Sequence, residues 1–293
     1  MLLVVAARVS MTAEEAVRLL SSGTGVKYRL VRRLAGGETG AHEVRSAVGR
    51  RLVMKWDLGE SSKVARRRAV GLTDRLRDEA GWPVPRQTAV EVGACLFVLQ
   101  QFMTGLPVEV LTEPLVDQLL ELHQARLGLE RLGDGSQWPA ELVQTLTDGG
   151  VGYCLHAPLR DYDSRTANLV GRIEAIGRGI GDRSLAGGDI VHWDLHRGNV
   201  LVHDGRVAGV IDNDFVTTGD ASFDLVTLAV TALNSPCQNG VRERLLTTAR
   251  REVDQPRWHA YVAHLLLRLV DWSIRGDRIE DIGFWLNRPP HPT

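Results

Sequence analysis

The sequence predicts an α+β protein of two lobes, with a boundary near Thr104. Three observations predict it. Short β-rich runs separated by glycine turns fill Tyr28–Trp56 and resume at Thr88–Gln100, with one helical stretch between them. From Pro114 onward the apolar residues recur at helical spacing instead. That helical half is interrupted by two β-rich runs, Val200–Val202 and Val207–Ile211, around Asp204-Gly205, a strong hairpin signal.

Composition narrows the class. The chain has 293 residues, 44% apolar and 24% charged, which suits an ordinary globular protein with room for two lobes. No apolar run approaches the roughly 20 residues of a membrane span, and Met1–Ala7 is too short for a signal segment. Either Met1 or Met11 would serve as a start. Cys95, Cys154 and Cys237 are scattered, which argues for a reducing, cytoplasmic setting and against a disulfide frame or zinc site. The net charge of −1 gives no reason to expect nucleic acid, and nothing calls for a membrane or an obligate protein partner. Its distribution is uneven: 17 Lys+Arg against 10 Asp+Glu in residues 1–104, and 18 against 26 thereafter. A basic first lobe suits a polyanion, and an acidic second lobe suits a cationic ligand.

Taken in order, Thr12–Leu20 reads as a capped helix, with Thr12 and Glu15 spaced as a capping box. Tyr28–Leu34, Glu43–Val48 and Leu52–Trp56 read as strands. The first turn places Gly37 and Gly40 where backbone without Cβ could approach a phosphate. Lys55 breaks the apolar run of the third strand, one of only three lysines in an arginine-rich chain. That choice suggests a need for a compact charge on a flexible stem. Ser62–Ala80 reads as a helix whose Arg66-Arg67-Arg68 triplet is expected on a solvated face. Asp74 is the best-spaced acid to orient Lys55, with Asp78 and Glu79 as alternatives.

Trp82-Pro83-Val84-Pro85 ends that helix. Thr88–Val92 and Cys95–Gln100 form a hairpin turning at Gly93, and Gln101 to Gly105 follows as a hinge. Pro114–Leu127 is an amphipathic helix carrying His123, expected as a hydrogen-bonded core residue. Gly128–Gly152 reads as a variable loop, and Asp161-Tyr162-Asp163 as the start of the next helix. Leu225–Leu233, Trp258–Leu267 and the segment from Leu269 read as closing helices.

The chemistry concentrates in Val191–Asp214. Asp194 precedes Asn199 by five, the spacing of the kinase loop H-R-D-x-x-x-x-N, and Asp212 ends the following hairpin. HWDLHRGNVLV, VIDND and GDASFDLVTL together resemble the signature of the aminoglycoside phosphotransferase family, kinase-like enzymes that phosphorylate small molecules. The family usually reads H-G-D-L-H-x-G-N, I-D-W and G-D-x-x-x-D-L; this chain departs at Trp193, where Gly is common, and at Asn213, where Trp is common.

The resemblance covers about Tyr28 to Trp285 and implies a protein-kinase-like two-lobe fold using ATP (or GTP) and Mg²⁺. On it, Asp194 is the catalytic acid–base, Asn199 and Asp212 hold Mg²⁺, and Lys55 clamps phosphates under the Gly37–Gly40 turn. The backbone at Gln101 and Met103 receives the base, and Asp224 bonds N–H groups of the catalytic loop. Asp161, Asp163, Trp193, His196 and Asp271 are candidates for the acceptor site. Only eleven residues separate Asp212 from Asp224, too few for a peptide-binding activation loop, so the acceptor is expected to be small. An aminoglycoside or another basic antibiotic leads. The alternatives are a metabolite kinase (choline, homoserine or a sugar amine) and a non-catalytic nucleotide-binding module.

Overall fold

The computed structural model describes residues 11–34, 40–129 and 137–287. Gly37 lies outside them. The first element is α1 (Ala13–Thr24), started by the expected capping box: Glu15 N–H donates to Thr12 Oγ1 at 3.2 Å and Thr12 N–H to Glu15 Oε2 at 2.8 Å. Its buried face, Ala16, Val17 and Leu20, packs on a five-stranded antiparallel sheet. The strands are β1 (Tyr28–Arg33), β2 (His42–Ser46), β3 (Arg51–Asp57), β4 (Gln87–Val92) and β5 (Cys95–Gln101), in the order β1-β2-β3-β5-β4. Met54 of β3 joins Val44, Cys95, Phe97 and Leu99 under α1. Because strand side chains alternate, the next residue, Lys55, is turned to the opposite face. That alternation aims the lysine into the interior between the sheet and the rest of the chain.

Between β3 and β4 runs α2 (Glu60–Ala80), closed by Gly81 at φ +67°. Its Ala69, Leu72 and Leu76 belong to the larger core, together with Trp82, Val84 and the helices that follow. After the sheet come β6 (Leu106–Pro107), α3 (Glu113–Ala125), α4 (Trp138–Asp148), α5 (His156–Tyr162) and α6 (Ser164–Gly179). Then β7 (Asp189–Val191) pairs with β10 (Thr217–Gly219), and between them β8 (Val200–His203) and β9 (Arg206–Val210) form a hairpin edged by β6. Asp204 and Gly205 at its tip have φ +50° and +71°, the left-handed pair that the Asp-Gly signal requires. Four helices complete the chain: α7 (Ser222–Ala232), α8 (Val241–Glu252), α9 (Gln255–Arg275) and α10 (Ile279–Asn287). α7 is buried on nearly every side, the reason its sequence is apolar without a polar stripe.

The architecture is the expected α+β arrangement of an antiparallel sheet followed by helices around a second hairpin. Three expectations need correction. The segment read as a variable loop contains α4, whose Trp138, Leu142 and Leu146 are core residues. Asp161 does not open a helix; it lies exposed near the end of α5, and Asp163 caps α6. The closing helices read as Trp258–Leu267 and a separate segment are one, α9, running through Arg268. That arginine looks like a break in an apolar run because its guanidinium is needed inside the lobe, as described next.

Among the described residues, no helix is long and apolar enough to cross a membrane.

Candidate active site

The loop between β7 and β8 is held from below by Asp224 of α7. Its carboxylate accepts the His192 N–H at 2.6 Å and the Trp193 N–H at 2.8 Å, and pairs with Arg126 at 2.5 Å. Arg126 follows α3 and has no exposed surface; it also donates to the Ile190 and Ala221 carbonyls, both at 3.2 Å. His123, two per cent exposed, sits beside it and meets Glu252 at 2.7 Å, the hydrogen-bonded core histidine expected. Asp224 thus bonds the loop's backbone as the sequence suggested.

His192 joins this loop to the end of the hairpin. Its Nε2 lies 3.1 Å from the Ile211 carbonyl, and its Nδ1 accepts the Asp194 N–H at 3.4 Å. A carbonyl can only accept, so Nε2 carries the proton and Nδ1 is the acceptor. Complete burial, outweighing the carboxylates around it, lowers the His192 pKa and keeps the ring neutral in this bridging tautomer. The residue after Ile211 is Asp212, so one imidazole fixes the relative position of the two candidate carboxylates.

Asp194 itself is surrounded by donors. The Asn199 amide donates to the Asp194 carbonyl at 2.9 Å and to its carboxylate at 3.1 Å. Arg268 of α9 lies 3.2 Å from the other carboxylate oxygen and donates to the Trp193 carbonyl at 2.9 Å. His196 Nε2 is 3.5 Å away, with its Nδ1 accepting the Gly198 N–H at 3.0 Å. Burial pushes the Asp194 pKa up, but Arg268 and His196 outweigh it and hold it well below the usual carboxylate range. The side chain remains 31% exposed, open to an incoming group.

From the sheet, Lys55 reaches both hairpin acids: its Nζ is 2.7 Å from Asp212 Oδ1 and 2.6 Å from Asp214 Oδ2. Asp212 holds φ +64°, a left-handed conformation in a non-glycine residue. Such strain persists only where the surroundings impose it; here the Lys55 ion pair and the His192 bond to Ile211 do so. Asp74, Asp78 and Glu79 do not orient Lys55. Asp74 and Asp78 pair with Arg77, and Glu79 with Arg75. Of the arginine triplet, Arg67 and Arg68 are exposed as expected, but Arg66 is not on the solvated face. Arg66 is buried and pairs with Asp57 at 2.9 Å and with Asp214; Arg68 donates to Thr218 at 2.7 Å.

The hinge lies over the same hairpin. Gly105 has φ +130°, and a Cβ there would stand 3.0 Å from the Val202 carbonyl, so the crossing demands glycine. The Met103 methyl covers Gly209, where a Cβ would meet it at 3.3 Å. Gln101 ends β5 opposite Leu52, and Gly40, at φ +71°, lies just before β2.

The acceptor candidates fare differently. His196 is at the site, as described. Trp193 turns its indole into the core, buried against Trp138, Phe223 and His264 with ring centroids 5.9, 5.2 and 5.3 Å away. Its backbone stands at φ +75°, a conformation that favours glycine and whose strain the indole has to offset. The left-handed strain costs about 1–3 kcal/mol, while removing a buried Trp costs about 3–5 kcal/mol. Packing wins, so Trp193→Gly is expected to destabilise by about 2 kcal/mol in urea unfolding; a gain in stability would show that strain dominates. Asp163 is spent capping α6, accepting from Arg165 and Thr166 N–H, and pairs with Arg165. Asp271 is fully buried and doubly paired with Arg275 at 2.9 and 3.0 Å.

Arg66, Asp214 and Arg268 were missed. Arg268 carried a readable signal, a cation inside Leu265-Leu-Leu-Arg-Leu-Val270, the same anomaly that marked Lys55.

A strand lysine, a loop pairing Asp with Asn, and a hairpin-end Asp, set between an antiparallel sheet and a helical lobe, define a kinase-like phosphotransferase. The model of the phosphotransferase enzyme family (APH) matches residues 30–261, and the chain belongs to that family of small-molecule kinases. Among solved structures it is similar to a thermostable aminoglycoside phosphotransferase APH(4)-Ia mutant in complex with AMP-PNP and hygromycin B. The identity is 18%, the coverage 94% of this chain and 96% of that one, and the TM-score 0.64. An amicoumacin kinase bound to AMP-PNP and Ca²⁺ matches at 16% identity, 88% and 86% coverage and TM-score 0.58. The gentamicin complex of APH(2")-IIa matches at 16%, 97% and 98%, and 0.57. At these identities the likeness speaks for the fold. No curated protein sequence matches the chain.

Proposed function

We propose that this chain is an ATP- and Mg²⁺-dependent phosphotransferase acting on a hydroxyl of an aminoglycoside or another basic antibiotic. The observation that carries the transfer reaction is that the Lys55–Asp212 pair and the Asn199–Asp194 pair are joined by the His192 bridge. In this reading residues 1–104 cover the nucleotide, with the base against the Gln101–Met103 backbone and the phosphates under the turn ending at Gly40. Residues 105–293 carry the catalytic loop and the acceptor site.

Phosphoryl transfer depends on placement and charge compensation. Asp194 orients the acceptor hydroxyl and takes its proton late. Lys55 neutralises phosphate oxygens. The donor set fits Mg²⁺: the Asn199 nitrogen is committed to Asp194, which leaves the amide oxygen for a cation, and Asp212 keeps a partly exposed carboxylate. Among the described residues no group of three or more His, Cys, Asp or Glu forms a self-sufficient metal cluster. This agrees with an ion held by one or two protein oxygens plus phosphates. Bound there, Mg²⁺ would compensate the charge of the transferred group.

The acceptor rests on the solved structures holding hygromycin B and gentamicin, and on the excess of Asp and Glu over Lys and Arg in residues 105–293. A specific observation favours a second acceptor class, a metabolite with fewer positive charges. Asp163 and Asp271 are already paired, and a cation, Arg268, stands beside Asp194. ADP release across aminoglycosides, other basic antibiotics, choline, homoserine and amino sugars decides between them. Turnover on an antibiotic is expected. Turnover on a metabolite alone overturns the acceptor class, and nucleotide binding without any turnover favours a non-catalytic module.

Arg268 also gives a pH prediction. Transfer needs Asp194 ionised, and Arg268 helps keep its pKa low. Arg268→Met removes that cation, so the Asp194 pKa rises and the acid limb of kcat/KM moves to higher pH. An unmoved acid limb would show that Arg268 does not tune this carboxylate.

A further inference from the structure

We propose that Asp214, anchored by Arg66, is the positioning acid of Lys55, so that in this chain α2 supplies a cation and the hairpin supplies the acid. This rests on reading Lys55 as the phosphate-binding lysine. In the kinase template the strand lysine is oriented by a glutamate from the adjacent helix. Here the acids on that helix face elsewhere: Asp74 and Asp78 meet Arg77, and Glu79 meets Arg75. The helix instead directs Arg66 into the interior, where it bridges Asp57 at the end of β3 and Asp214 beyond the hairpin.

Lys55 has two carboxylates, and they are not equivalent. The Asp212 side chain is 32% exposed and is the proposed metal ligand, so a bound metal would compete with Lys55 for its carboxylate. Asp214 is 2% exposed and has Arg66 on its other oxygen, so it stays. It then remains as the fixed counter-charge from which Lys55 can extend to phosphates. Without it, a lysine with a nine per cent exposed side chain would lose its fixed partner in the metal-bound state. Arg66 is suited to its task because its planar fork presents separate nitrogens, Nε to Asp57 and Nη1 to Asp214, in a fixed arrangement.

The test relocates the charge. Mg²⁺–ATP binding is measured for the intact chain, Asp214→Asn, Arg66→Glu and the double variant, with circular dichroism confirming the fold. Residues that orient a functional group from behind typically cost about 10–100-fold when removed. Each single variant is therefore expected to weaken binding by about tenfold or more. The double variant, which returns an acid to the helix and removes it from the hairpin, is expected to recover most of that loss. Full binding by folded Asp214→Asn, or a double variant no better than the singles, overturns the assignment. If Asp214→Asn does not fold, Arg66→Lys serves: the cation stays but the bridge is lost. The KM for ATP is then expected to rise several-fold with kcat less affected, and an unchanged KM overturns the proposal. Failure of the intact chain to bind Mg²⁺–ATP would instead refute the underlying reading of the site, a result distinct from equal binding by all variants.

Discussion

Asp194→Asn is expected to lower kcat by about 10²–10⁴-fold, the range that a positioned acid–base group contributes, and to leave nucleotide affinity roughly unchanged. The two effects separate because of where Asp194 sits. Its contacts are Asn199, Arg268 and His196, while Lys55 and the hairpin acids form a different cluster. An asparagine side chain still fits among those donors, but it cannot take a proton. The fold should tolerate the change, since the carboxylate is partly exposed and Arg268 keeps the Trp193 carbonyl. ADP release together with calorimetric titration of the nucleotide checks both halves. A variant that still turns over would remove Asp194 from the reaction, and one that loses the nucleotide would place it on the donor side.

How far the sequence led can be read from individual residues. Alternation made Lys55 visible, because a charge in an apolar strand has no trivial explanation. The Asp204-Gly205 turn needs left-handed backbone, and the residue pair declares it. Loop residues whose spacing is set by chain geometry, Asp194 to Asn199, were equally legible. The failures have a shared cause: they concern which partner a charge chooses across the fold. Lys55 and Asp214 are 159 positions apart, so no local pattern links them. Asp74 is well spaced but faces Arg77, and Arg66 reads with its neighbours although the rotation of about 100° between adjacent helical residues sets it on the buried face and them on the wet one. Trp193 misled for a related reason. Its sequence position lies beside Asp194, but a positive φ turns the side chain into the aromatic core.

The largest stability effect is expected at Asp224, where the site meets the core. The Asp224–Arg126 pair has no exposed surface on either side, and breaking such a pair by removing one charge costs about 3–5 kcal/mol because the other is stranded. Asp224→Asn should therefore lower stability by about that amount. Asp224→Ala is expected to be worse, since the His192 and Trp193 N–H groups also lose their acceptor, at about 1–3 kcal/mol each. These costs do not simply add, but against a typical total of about 5–15 kcal/mol the alanine variant should have little folded population to spare. Removing both charges tests the cause. In Asp224→Asn/Arg126→Met no cation is left uncompensated, so part of the loss should return even though the Ile190 and Ala221 carbonyls lose a donor. Urea midpoints at unchanged slope would measure each step. A single Asn variant within about 1 kcal/mol of the parent would show that breaking this buried pair does not strand a costly charge. A double variant worse than the single would show that Arg126 acts through its carbonyl bonds, with Asp224 as a secondary partner.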